Sequence, residues 1–326
     1  MTGTLVDTLF VLLGFGFLVV GGEALVRGAS GIALIARVTP AVVGLTIVSA
    51  GTSMPELVVS LNAALNESPG LAVGNAVGSN IFNVGAILGL TALVRPLRIL
   101  GNTVRLEWPV MMLAVFQLHL LIRDGALDRL EGGFLLGALI AFVAYTVFVG
   151  ARAASDRETG DLQAHVATAS FGRRGGAALA LNGVAVLVGA LCLAGGSQTL
   201  VYGASNLARS FGVSDTVIGL TIVAAGTGTP ELVTSLVAAF RERDDIAVAN
   251  VLGSNIFNVL GILGTTALVF PIQVPTEIIT RDSPWMIAFC LVLFPLMATG
   301  SRLRRPEGGL LLLGFLAYIG LLLRSA

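Results

Sequence analysis

Gly51-Thr52-Ser53-Met54-Pro55-Glu56 lies inside an apolar run spanning 40–65, and Gly226-Thr227-Gly228-Thr229-Pro230-Glu231 lies inside a second run, 175 residues later. Each hexapeptide puts a carboxylate and a proline where a membrane helix should hold neither. Moving outward, a shift of 175 residues aligns the chain with itself without a gap. Residues 41–64 match 216–239 at 17 of 24 positions, and 71–94 match 246–269 at another 17 of 24. Weaker matches carry Gly28-Ala29-Ser30 onto Gly203-Ala204-Ser205 and Pro109 onto Pro284. The chain is a duplicated unit.

Composition sets what the unit is. The 326 residues are 55% hydrophobic and 12% charged, against roughly 25% charged in an average soluble domain. A soluble globular enzyme and a disordered chain are both excluded. About 20 apolar residues span a bilayer, and ten stretches qualify: 5–26, 40–65, 71–94, 107–122, 132–151, 177–200, 215–240, 246–269, 284–300 and 308–324. The expected fold is an all-α integral membrane protein of ten transmembrane helices in two five-helix repeats, 1–151 and 176–326, joined by a linker over 152–175. The first and sixth helices should run on toward Arg37 and Phe211. With no basic residue ahead of it, the first stretch reads as a spanning helix rather than a cleaved leader.

Five is odd, so the second copy enters the membrane from the opposite side. The repeats are therefore inverted, an architecture that places a transporter's substrate site near the midplane between them. All 19 basic residues are arginine, and net charge is zero, which gives no basic surface for nucleic acid. Fourteen of the arginines fall on the face that holds the linker and five on the other. The positive-inside rule then makes 152–175 cytoplasmic and both termini external. Cys192 and Cys290 sit in apolar runs, as small buried hydrophobes.

Glu56 and Glu231 carry the chemistry. A charge at a helix centre costs at least about 2.5–3.5 kcal/mol and normally faces a cavity, a partner or an ion. No Lys exists as a partner and no Arg lies nearby on these helices, so a cation is the simplest neutralising species. Pro55 and Pro230 lack the N–H that would bond to Gly51 and Gly226, which frees carbonyl oxygens toward the site. Thr52 and Ser53 share the helical face of Glu56, and Thr227 that of Glu231. The next helices carry Asn75, Ser79 and Asn83 on one face and repeat it with Asn250, Ser254 and Asn258. Such oxygens are hard ligands suited to Ca2+ or Na+. For Asn75, Asn80, Asn250 and Asn255, hydrogen bonding between helices is an equal alternative. Two glutamates balance one Ca2+, two Na+ or two protons, and a site that exchanges such loads is an antiporter.

Gly51-Thr52-Ser53-Met54-Pro55-Glu56 and Gly78-Ser79-Asn80-Ile81-Phe82-Asn83, with their second copies, resemble the alpha-repeats of the calcium/cation antiporter superfamily. The likeness is closest to prokaryotic sodium/calcium exchangers and covers nearly the whole chain. It implies countertransport of Ca2+ against Na+ by alternating access, without a cofactor, in a monomer of the cytoplasmic membrane in which the first and sixth helices slide on the other eight. The implied ion ligands are Thr52, Ser53, Glu56, Ser79 and Asn83, then Thr227, Glu231, Ser254 and Asn258, with the backbone carbonyls of Ser49 and Ala224. Two departures matter. Gly228 stands where the pattern usually has Ser, and Asn258 where some of these exchangers have Asp. They speak against three Na+ per cycle and leave K+ co-transport, or H+ as the counter-ion, open.

Other polar residues read differently. Glu23 and Asp7 lie in the first helix, Glu23 at an access path or an interface; Gln198 stands at its place in the second copy. Glu107 and Asp282 suit helix starts. His119 and His165 have no Ser or Cys nucleophile placed beside them, and an intramembrane hydrolase would need such a base. A cation channel is a separate reading, which a flux coupled to a counter-gradient would exclude. Gly133 and Gly137 look like a helix-packing pair.

Overall fold

Residues 2–36, 38–65, 69–153, 176–212 and 224–325 are described by a computed structural model. Most of the expected linker, 154–175, lies outside the described residues, as do 213–223, which include 215–223 of the seventh expected helix. The helices are α1 (Thr2–Ala36), α2 (Pro40–Thr52), α3 (Met54–Leu65), α4 (Gly70–Val94), α5 (Thr103–Asp124) and α6 (Arg129–Ala153), then α7 (Gly176–Ser210), α8 (Ala224–Thr227), α9 (Thr229–Phe240), α10 (Asp244–Val269), α11 (Ile278–Ser301) and α12 (Arg305–Ser325). Among the described residues, eight are long and apolar enough to cross a membrane, or nine if the bent pair α2/α3 is counted as one span. The protein is a helical membrane protein. The first and sixth expected helices extend as foreseen, to Ala36 and Ser210.

The α2/α3 break has a local cause. Ser53 leaves the helical region at φ −86°, ψ 8°, and two residues later Pro55 brings no N–H to the ladder. The axes diverge by 45°. Gly228 makes the same break between α8 and α9 at φ −84°, ψ 2°. Further along, α4 and α10 loosen into π-helical turns at Asn83–Leu88 and Phe257–Leu263. Such turns are frequent at functional sites. Most of α4 and nearly all of α10 is buried, whereas α1, α7 and α12 expose most of their apolar surface. The core therefore sits around α4 and α10, with the lipid-type surface outside.

Small residues set how closely the helices approach. α1 and α7 run antiparallel with glycines every seven residues, Gly14, Gly21 and Gly28 against Gly189, Gly196 and Gly203. A Cβ at Gly14 would come to 2.6 Å from the Leu200 nitrogen, and one at Gly189 to 2.7 Å from the Leu25 nitrogen. Only glycine permits that approach. The expected Gly133/Gly137 contact is corrected: Gly137 has open space, and Gly132 is the residue pressed against α10, 2.5 Å from Leu268 nitrogen to a built Cβ. One-residue displacement around a helix is invisible to a spacing argument when glycines are adjacent.

Two antiparallel strand pairs were not expected. β1 (Leu97–Arg98) pairs with β4 (Arg302–Leu303), and β2 (Ala126–Leu127) with β3 (Ile272–Gln273). Each pair ties the first half of the chain to the second. Two-residue strands have no periodicity to read.

Candidate cation site

Glu56 and Glu231 stand in the first turns of α3 and α9, just past the two breaks. Each is 1% exposed. A helix N-terminus favours a carboxylate there. The breaks turn the two acids toward one another: Ser53, three residues before Glu56, donates its hydroxyl to Glu231 Oε1 at 3.0 Å. The acids lie within Coulombic reach of each other. Among the described residues, Glu56 Oε1, Glu56 Oε2 and Glu231 Oε2 are buried without any hydrogen-bond partner. Nor, among those residues, does a basic side chain pair with either acid. Even after relaxation a buried uncompensated charge costs on the order of several kcal/mol, so the pair is built to receive positive charge.

Amides hold the rest in place with near-twofold symmetry. Asn75 donates to the Glu56 carbonyl at 3.3 Å and to Ser60 Oγ at 3.1 Å; Asn250 donates to the Glu231 carbonyl at 3.4 Å and to Ser235 Oγ at 3.1 Å. Asn80 and Asn255 each donate to the other's backbone carbonyl at 3.3 Å. Their side-chain oxygens accept from Asn258 at 3.0 Å and Asn83 at 2.9 Å. That fixes the orientation of Asn83 and Asn258. The NH2 end of each is tied back, and Asn258 Oδ1 is buried and unpartnered among the described residues. Asn75, Asn80, Asn250 and Asn255 thus brace the site, resolving the alternative left open by sequence. Ser254 Oγ, also buried and unpartnered, belongs with the oxygens that face inward.

The other expected ligands fall out unevenly. Thr52 donates to the Ser49 carbonyl and to Asn250 Oδ1, both at 3.3 Å. Ser49 engages α10 through its hydroxyl, 3.1 Å from the Asn250 carbonyl. Its own carbonyl accepts from the Ser53 nitrogen at 3.0 Å as well as from Thr52. Ala224 opens α8. The expectation that proline frees the Gly226 carbonyl toward the site is corrected, because the hydroxyl of Ser197 on α7 donates to it. Access also differs between the copies. Asn75, Ser79 and Thr227 are half-buried, whereas Asn250, Ser254 and Thr52 are fully buried.

Outside the site, Glu23 is an interface residue. It pairs with Arg27 and, through both oxygens, with Arg241 at the end of α9. His119 is not isolated as expected: its Nδ1 lies 2.8 Å from Ser283 Oγ. Ser283 is fully buried and bonds back to the Ile279 carbonyl, so this contact joins α5 to α11. Asp282 is held by Arg281 and by the Tyr318 hydroxyl at 3.1 Å. Among the described residues, no group of three or more His, Cys, Asp or Glu side chains could hold a metal. The donor set is two carboxylates with neutral oxygens, which suits hard, exchangeable cations over soft ones.

The family model described as "Sodium/calcium exchanger protein" matches residues 6–148 and 181–324. The chain is 34% identical to the inner membrane protein YrbG of Escherichia coli K12, over 98% of this chain and 97% of that one. It is 31% identical to the sodium/calcium exchanger MaX1 of Methanosarcina acetivorans, over 96% of this chain and 97% of that one. The structure of the sodium-calcium exchanger NCX_Mj, from crystals soaked with zero Na+ and Ca2+, superposes with a TM-score of 0.82 at 29% identity, covering 98% of this chain and 99% of that one.

Proposed function

The chain belongs to the sodium/calcium exchanger protein family, and on that premise we propose that it exchanges Ca2+ for Na+ across the cytoplasmic membrane by alternating access. The observation that carries this reading is the convergence of two fully buried glutamates whose three free oxygens have no donor among the described residues. One Ca2+ neutralises the pair, and Ca2+ takes 6–8 oxygens at flexible geometry. Glu56, Glu231, Ser254, Asn83 and Asn258 would supply ligands directly. Thr52, Ser53, Ser79 and Thr227, with the Ser49 and Ala224 carbonyls, complete the set we assign.

Ten spans in two inverted repeats would put both termini outside and 152–175 in the cytoplasm. Supporting this, among the described residues the helices of the first half have counterparts about 175 residues on, and the bracing amides recur with them. The inner-membrane designation of YrbG supports the same placement here. Uneven access to the two copies supports alternating access: one wall of the pocket is open at Asn75 and Ser79 while its counterpart is closed. Inverting that asymmetry would expose the site to the other side. The sliding element is the tightly packed α1/α7 pair.

The test is radiolabelled Ca2+ uptake into proteoliposomes with outward Na+, K+ and H+ gradients imposed separately. The reading expects uptake with the Na+ gradient alone. Uptake driven only by H+, or only when K+ accompanies Na+, would replace it with the corresponding exchanger.

A further inference from the structure

The two breaks that create the site are alike in backbone and unlike in what they carry. Ser53 and Gly228 differ by only a few degrees in φ and ψ, in a region open to any residue. Gly228 is therefore not glycine for the sake of its backbone. The difference lies in the space beside it. A Cβ on Gly228 would meet Cδ1 and Cε1 of Phe82 at 2.6 Å. The ring fills the volume a side chain would take, and its far side is packed edge-on against Phe315, with centroids 5.5 Å apart. Phe257, the equivalent ring in the second copy, lies instead over Gly261, 3.1 Å from a Cβ built there, and Ser53 keeps its place.

The consequence reaches the carboxylates. Ser53 donates to Glu231; by the internal symmetry, a hydroxyl at 228 would face Glu56. Glu56 instead has both oxygens bare among the described residues. One half of the pocket offers a carboxylate with a hydroxyl, the other a carboxylate without one, and the ring of Phe82 stands where a side chain at 228 would go.

We propose that Phe82 and Gly228 together delete a monovalent-cation subsite and so fix the exchange at two monovalent charges per Ca2+, electroneutral overall. A hard monovalent ion needs several oxygens. The Glu56 half has lost one and gained an apolar wall. Two carboxylates can neutralise one Ca2+ or two monovalent ions; a third ion would need another oxygen-lined position and would leave the interior with a net positive charge. The plug occupies that position. This inference rests on the antiporter reading above and on a metal ion, Na+ or K+, as the counter-ion, because a proton binds one carboxylate oxygen and needs no oxygen-lined position.

Charge moved per Ca2+ is measured in proteoliposomes with the membrane potential clamped, using whichever of the Na+ and K+ gradients drives uptake. The wild-type protein and Phe82→Val should accumulate Ca2+ as the square of that gradient, without response to potential. The double variant Phe82→Val/Gly228→Ser, with a hydroxyl and room for it, should follow the cube and respond to potential. Gly228→Ser alone meets the ring and should lose uptake. Potential-dependent uptake by the wild-type protein would overturn the proposal outright, whether or not the variants fold. So would a double variant that exchanges normally and stays insensitive to potential. Uptake driven by K+ in place of Na+ would sink only the Na+ reading, whereas uptake driven by H+ alone would overturn this proposal as well.

Discussion

The two halves of the cation pocket come from nearly the same sequence and differ where it counts. The Glu231 half has a hydroxyl donor from Ser53 and walls at Asn250 and Ser254 that are closed. The Glu56 half has no donor among the described residues and a wall at Asn75 and Ser79 that is partly open. Their bracing is nevertheless the same: each glutamate's carbonyl takes one asparagine, and that asparagine also reaches one serine. On the proposed reading, symmetry in the supports lets two states of a carrier be built, and asymmetry in the ligands decides what is carried.

Breaking the carboxylates should have the largest effect. Glu56→Gln and Glu231→Gln should each reduce Ca2+ uptake by proteoliposomes to background while the protein still inserts. Their effects on the cation-free protein should differ. Removing a buried, uncompensated charge relieves on the order of several kcal/mol, and Glu56 is the acid without a donor. In chelator, Glu56→Gln should raise Tm more than Glu231→Gln; equal shifts would mean the halves are electrostatically alike.

The next effect is smaller. Ser53→Ala removes a hydrogen bond to a charged acceptor, worth about 1.5–3 kcal/mol. It should weaken Ca2+ binding by about tenfold or more on that scale, seen by calorimetric titration. Gly228→Ala brings a Cβ against the Phe82 ring and should lose uptake as Gly228→Ser alone does. For the shared scaffold the expectation is equality. Asn80→Ala and Asn255→Ala each strip buried partners, at about 1–3 kcal/mol per group left unsatisfied, and should lower Tm by matching amounts. A large difference would show that the amide ring is not symmetric. Least affected should be Glu23→Gln. Its pair with Arg241 is partly exposed, a class worth about 0–1 kcal/mol, and uptake should stay close to wild type.

Legibility in the sequence followed physical range. The spans and the repeat were readable because lipid demands long apolar helices and because 17 of 24 matches recur in both central segments. The glutamates stood out because charge inside such a segment is costly. What stayed hidden depends on contacts across the repeat boundary. The roles of Asn80 and Asn255 were undecided until each was seen reaching the other's backbone. Ser60 and Ser235 recur at the repeat spacing, a usable signal for their part in the bracing. Nothing local in the sequence says that the ring of Phe82 fills the space beside Gly228. His119 and Ser283 are 164 residues apart, beyond any pattern in the chain.

The most direct test of the central claim is equilibrium Ca2+ binding, measured calorimetrically on the detergent-purified wild-type protein and on the two glutamate variants. One shared site predicts a single Ca2+ per wild-type chain and loss of that binding in both Glu56→Gln and Glu231→Gln. Near wild-type affinity in either variant would mean that the two acids do not hold one ion between them.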